Sequence, residues 1–217
     1  MSYIYGDLKT KLQTQIGDPN LSDSVAGDAL NYTEQNIFNT FDLTLNSSTQ
    51  TNALASAATS LTSSLPSNFQ RVYSLYITSP TGLAMDITDK YVQPKLFRQL
   101  YTASQINSTS PPQAWTYFTS IEFGHKSDQA YTVKLDYIKS VTLMSSSSDV
   151  PTVPEAHEEL LVVGAKMRIY EQKEDFDYAA QFSNRYADLI EAFITRYGMR
   201  QVDNQVVIPG SRHAVRY

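Results

Sequence analysis

The residue types able to do chemistry are present in this chain but are not gathered. Its three histidines stand at positions 125, 157 and 213, in three separate regions. Glu155-Ala-His157-Glu158-Glu159 looks like a ligand cluster. It holds metal-ligand types, yet adjacent helical positions point apart, and the HExxH spacing that sets two histidines on one helix face is missing. Acids at a helix start face the positive end of its dipole, and the cluster fits that role. Asp86, Asp89, Asp136 and Asp149 could include a carboxylate pair for acid–base work, which is the basis of a hydrolase reading. Nothing in their spacing selects a pair, so solvated loop and strand carboxylates are expected. No GxSxG, Walker or GxGxxG pattern occurs. The chain is therefore expected to carry no catalytic residues, no metal site and no cofactor.

Aromatic residues offer a different chemistry. Trp115, Tyr117 and nearby tyrosines could form a platform for sugar rings, which makes a carbohydrate-recognising tail module the alternative function. Most of the 15 tyrosines, however, fall on the apolar side of expected strands and helices. Packing and interface roles explain aromatics in such places. His125 with Lys126 is a single pair at a hairpin tip, not a nucleic-acid patch.

Composition narrows the classes further. The net charge of −5 over 217 residues argues against tight binding of nucleic acid. Charged residues make up 18%, so Ser, Thr, Asn and Gln must cover much of the surface. Without cysteine, disulfides and thiolate metal sites are excluded. The apolar runs are too short to span a membrane, and no basic segment followed by an apolar core marks a signal peptide near Met1.

The strongest structural signal is a helical hairpin over residues 153–198. Pro154 suits the first helical position, and Glu155, Glu158 and Glu159 follow it. Leu160, Val163, Gly164, Met167 and Tyr170 recur at helical steps, while Leu161, Val162 and Ile169 cover the other side. A helix apolar nearly all round is buried on several sides, and Gly164-Ala165 lets another helix come close. The second helix starts near Asp175 and ends at Gly198, placed where a left-handed cap is favoured. It carries two apolar stripes. One is Phe176, Ala180, Ser183, Ala187, Ile190 and Ile194. The other is Phe182, Tyr186, Leu189, Phe193 and Tyr197. Together they are wider than one partner helix needs, so Phe182, Tyr186, Leu189 and Phe193 are candidates for a subunit interface.

Two further helices are expected near the start, around Leu8, Leu12 and Ile16 and around Ala26, Leu30, Thr33 and Ile37, the second capped by Ser22. Between the two helical ends the texture is extended. Residues 46–64 are rich in Ser, Thr, Asn and Ala, and read as a long loop or as strands held by neighbours. A strand is expected from Phe69 to Ile77. A short helix should follow Pro94 with Leu96, Phe97, Leu100 and Tyr101 on one side. Trp115 to Phe123 and Tyr131 to Tyr137 should be strands, with a third through Val141 and Leu143. The expected fold is α+β: an antiparallel helical bundle core (residues 1–42 and 151–198), an inserted antiparallel β module (43–150) and an extended C-terminal arm (199–217). In that arm Val206, Val207 and Ile208 favour a strand, which could add to a sheet edge or a neighbour's groove. Arg212 and Arg216 could pair with acids there, and Tyr217 could anchor the end.

The order of motifs resembles phage head-to-tail adaptor (connector) proteins of short-tailed phages. Leu65-Pro66-Ser67-Asn68-Phe69 looks like the family's LPxxF turn into a strand. Pro112 to Tyr117 followed by the Tyr131 to Tyr137 strand is similar to its proline–aromatic hairpin. Val153-Pro154 with Leu160-Leu161 and Gly164-Ala165 resembles its "P…LL…GA" helix, and residues 176–197 fit its final helix. The resemblance implies a structural virion protein of the neck, made in the host cytoplasm and not an enzyme. It implies a homo-oligomeric ring, a dodecamer, between a portal protein and a tail tube or nozzle protein. DNA would pass through its channel without specific binding, and no membrane would be involved. It also implies that the arm with Val206, Val207, Ile208, Arg212, Arg216 and Tyr217 reaches the portal.

Overall fold

The computed structural model describes residues 3–101 and 106–199. Two clusters of buried side chains organise them, one among helices and one under a sheet.

Four helices share the first cluster. Helix α1 (Tyr5–Ile16) stops at Gly17, whose φ of +68° lets its N–H reach the Gln13 carbonyl (2.9 Å). This left-handed cap is one that glycine takes without strain. Helix α2 (Asp23–Thr40) begins with the Ser22 hydroxyl accepting from the Val25 N–H, the expected cap. Helix α3 is a short segment elsewhere (Pro94–Leu100). Helix α4 (Glu158–Gln172) follows a single 3₁₀ turn at Glu155–His157, so Pro154 precedes that turn instead of opening the helix itself. All six residues 160–165 of α4 are buried, as a helix apolar all round requires. Helix α4 touches α1, α2 and α5 (Phe176–Tyr197). Leu8, Leu12, Leu30, Ile37, Phe38, Leu160, Leu161 and Phe193 close the core, each at 1% exposure or less.

The second cluster lies under a four-stranded antiparallel sheet in the order β1-β8-β2-β3. Its strands are β1 (Ser47–Leu54), β2 (Phe69–Thr78), β3 (Ala84–Asp86) and β8 (Tyr131–Lys139). Tyr131, Val133, Leu135 and Tyr137 point inward and Thr132 and Lys134 outward, so the alternation does produce one wet face. The Ser/Thr-rich stretch contributes an edge strand, held among the described residues by β8. Strands β5 (Trp115–Tyr117) and β6 (Ile121–Phe123) form a hairpin that covers the inner face. The hairpin tip expected at His125 and Lys126 contains β7 (Lys126–Ser127), parallel to β4 (Thr109–Ser110).

Two local expectations, at Val141–Leu143 and at Gly198, fail for tertiary reasons. No strand runs through Val141 and Leu143. After β8 the chain must return to the helices, and Asn31 on α2 takes hold of it through both an N–H and a carbonyl of Met144 (2.9 Å each). Gly198 has φ −61°, not a left-handed conformation. It is small because a Cβ there would lie 2.5 Å from the Ile194 carbonyl oxygen. On α3 only Phe97 is fully inside, while Leu96 and Leu100 are each 47% exposed.

Candidate assembly surfaces

Most of the residues that could do chemistry have local partners of their own. Asp86 accepts from the Thr88 backbone N–H (2.9 Å), and Asp89 pairs with Lys90 (2.8 Å). Asp136 accepts from the Thr49 and Ser74 hydroxyls (2.5 and 2.8 Å). Asp149 closes a turn in the return linker, where the Ser145 and Ser146 N–H groups hold its carboxyl below the usual range. The Asp86 charge, then burial, then the Asp136 charge raise the Tyr76 phenol. His125 shares a 2.7 Å hydrogen bond with the exposed Ser108. His157 is packed edge-on against Phe193 and Tyr197 (5.1 and 5.4 Å between centroids). Burial, and then the Arg196 charge, lower its pKa, so the imidazole there is a packing element. Glu158 pairs with Lys11 of α1 (3.0 Å). Among the described residues no three His, Asp or Glu gather where a metal could sit. His213 lies outside those residues.

The aromatic platform is a core. Trp115 is 2% exposed and donates its indole N–H to the Ile87 carbonyl (2.6 Å), so it reaches the surface only at the floor of a small cleft. Tyr91 shows more surface, and with Arg71 and Tyr117 it rims an open cleft of about 200 Å³. That is below the roughly 300–1,000 Å³ of ordinary ligand pockets. The rings are occupied with one another: Tyr91 lies 5.1 Å from Trp115, and Phe69 lies 5.4 Å from Tyr117.

Helix α5 separates the two stripes. Phe193 is fully buried in its own subunit, and Tyr186 and Leu189 are half-buried against the same core. Burial pushes the Tyr186 phenol up to about 12. Phe182 is half-covered, stacked on Tyr170 (5.6 Å) with the Lys166 ammonium over its ring (5.2 Å). The other stripe faces outward over its first part: Phe176 is 66% exposed, and Ala180, Ser183 and Ala187 are exposed with it, while Ile190 and Ile194 are half-buried and Ile190 packs on the core. Periodicity marked both stripes and could not say which would meet α4. Around the outward stripe run Asp177, Asp188, Glu191 and the Glu159–Arg185 ion pair (3.0 Å), all at the surface.

A third region is the joint between helices and sheet. Asp42, just after α2, forms an ion pair with Arg71 of β2. The Asp42 carbonyl accepts from the Met199 N–H (2.8 Å), and Gly198 bridges Leu43. The chain beyond α5 therefore starts from this joint. Val206, Val207, Ile208, Arg212, Arg216 and Tyr217 lie outside the described residues.

Glu34 is a residue that pattern reading passed over. It is 1% exposed, on the buried face of α2, and accepts the backbone N–H groups of Thr152 and Val153 (2.6 and 3.1 Å). Burial raises its pKa against those two donors. A signal was present: position 34 falls four after Leu30 and three before Ile37, so a charge interrupts an apolar stripe.

Comparison with known proteins points to one family. The family model described as SU10 adaptor protein matches residues 3–209, nearly the whole chain. A search of curated proteins finds no match.

Proposed function

Given that the chain belongs to the SU10 adaptor protein family, and so is a phage head-to-tail adaptor with a structural role, we propose that copies of it assemble into a ring. The ring joins a portal on one side to a tail tube or nozzle component on the other, and DNA passes through its centre. The observation that carries the assembly reading is the outward stripe of α5, with Phe176 at 66% exposure beside Ala180, Ser183 and Ala187. Exposed apolar surface rimmed by polar residues marks a contact site, and small side chains admit close approach. A dodecamer, matching the resemblance, is the expected size. Among the described residues no helix is long and apolar enough to cross a membrane.

The experiment is docking on portal-bearing, tail-less capsids, followed by imaging of the neck. Full-length protein should co-sediment with such capsids and appear as a ring under the portal. Ending the chain after Met199 keeps every described contact, so that variant should melt like the full chain and lose docking. Retained docking would show that the portal contact lies within residues 1–199 and not in Arg212, Arg216 and Tyr217.

A channel wall should let phosphates pass. With net charge −5 the purified protein should bind duplex DNA weakly or not at all. Tight binding that weakens steeply with salt would contradict the channel reading.

A further inference from the structure

The four-stranded sheet ends in two unlike edges. Strand β3 is three residues long and offers little template. Strand β1 is eight residues long, pairs with β8 at every position without a register shift, and contains no proline and no charge. Among the described residues nothing pairs with its far side. A long, regular edge is a template for another strand, and proteins that leave one unused blunt it with charge, proline, a bulge or a cover. Strand β1 has none of the first three, and two of its residues, Asn52 and Leu54, carry the buried core face right up to the edge.

We propose that β1 takes up residues 202–208 of a second copy of this chain as an added strand. The inference rests on the ring reading above and names one of its contacts. Alternation along the segment puts Val202, Asn204, Val206 and Ile208 on one face and Asp203, Gln205 and Val207 on the other. The inward face of β1 is Ser48, Gln50, Asn52 and Leu54, opposite Tyr137, Leu135, Val133 and Tyr131. An apolar residue beside Leu54 would extend the sheet's core, and Asn204 would match one of the polar pair Gln50 and Asn52. Pro209 follows at once and has no N–H to donate, so pairing would stop there.

The direction of the chain selects a second copy over the same one. The Thr44 hydroxyl reaches the Tyr197 carbonyl (3.2 Å), Gly198 bridges Leu43 antiparallel, and Met199 bonds to Asp42. Residues 197–199 therefore run from position 44 back toward 42, away from Ser47 and the start of their own β1. Each copy then offers one strand and one edge that are different surfaces, a head-to-tail contact that closes into a ring when the rotation allows. Arg212, Arg216 and Tyr217 lie beyond the strand and stay available to the portal.

The absence of cysteine makes a direct test possible in the full chain. Thr51→Cys places a thiol on the outward face of β1, and Asp203→Cys, Gln205→Cys and Val207→Cys, made singly, place one on the matching face of the segment. Thr51→Cys mixed with one of the three should give a disulfide-linked pair of chains under mild oxidation. The double variant Thr51→Cys/Val207→Cys should give a ladder of linked chains up to the ring. Closure of the double variant within one chain would overturn the proposal in favour of the chain's own tail. Rings in micrographs with no link from any of the three positions would overturn it and leave the ring reading standing. Absence of both assembly by light scattering and linkage would overturn both.

Discussion

Replacing Gly164 with leucine is expected to unfold the meeting point of α2, α4 and α5. A Cβ at this position would lie 2.7 Å from Cε2 of Tyr186 and would press on the Thr33 methyl. Neither neighbour can retreat freely: Thr33 is 3% exposed with its hydroxyl bonded to the Ala29 carbonyl (2.8 Å), and Tyr186 is wedged against the core. Overpacking a tight core costs about 1–3 kcal/mol, sometimes more, and leucine here belongs at the top of that range. For a domain of this size about 3 kcal/mol lowers Tm by roughly 6–12 °C. Alanine should fall between, since its helix preference over glycine, about 1 kcal/mol, offsets part of the clash. Phe176→Ser on the outward stripe should leave the monomer's Tm nearly unchanged, as surface changes usually do. A leucine variant that melts like the parent would show that α4 does not meet α2 and α5 at this point.

Glu34 should give the next largest effect, and one that depends on pH. Its carboxylate is the acceptor for Thr152 and Val153 where the linker from the sheet rejoins the helices. Alanine would orphan those N–H groups and open a hole beside Val153, which has no exposure. An orphaned buried donor costs about 1–3 kcal/mol, so a net loss of roughly 2–3 kcal/mol is expected after the charge itself is removed. Glutamine keeps an acceptor oxygen and should lose less. Because burial raises the folded pKa of Glu34 above its unfolded value, this group's contribution is greatest below the ordinary carboxylate range. It declines as pH rises through the folded pKa. Glutamine does not titrate, so the parent's advantage over Glu34→Gln should shrink with rising pH. Melting curves of both proteins from pH 4 to pH 8 test this; an advantage that grows with pH would contradict it.

Much of the fold was written in local patterns. The run from Leu160 to Ala165 announced a helix buried on all sides, Ser22 announced the start of α2, and the alternation from Tyr131 to Tyr137 announced a strand with one wet face. The scattering of His125, His157 and the four aspartates along the chain was equally plain, with no spacing that selects a pair. Such features are local because side-chain direction follows from the backbone period of a helix or strand. What the pattern could not reach was which surface survives folding. Both stripes of α5 were visible, yet only docking onto α4 buries Phe193 and leaves Phe176 outside. The glycine at 198 was legible, but its cause was the Ile194 carbonyl and not a left-handed turn. Glu34 gained its partners from a linker 118 and 119 residues away. Strand β1 takes its place at the edge of the sheet by pairing with β8, far along the chain. Exposure and partnership arise only where distant segments meet, and burial free energy depends on that meeting, whereas periodicity depends on the segment alone.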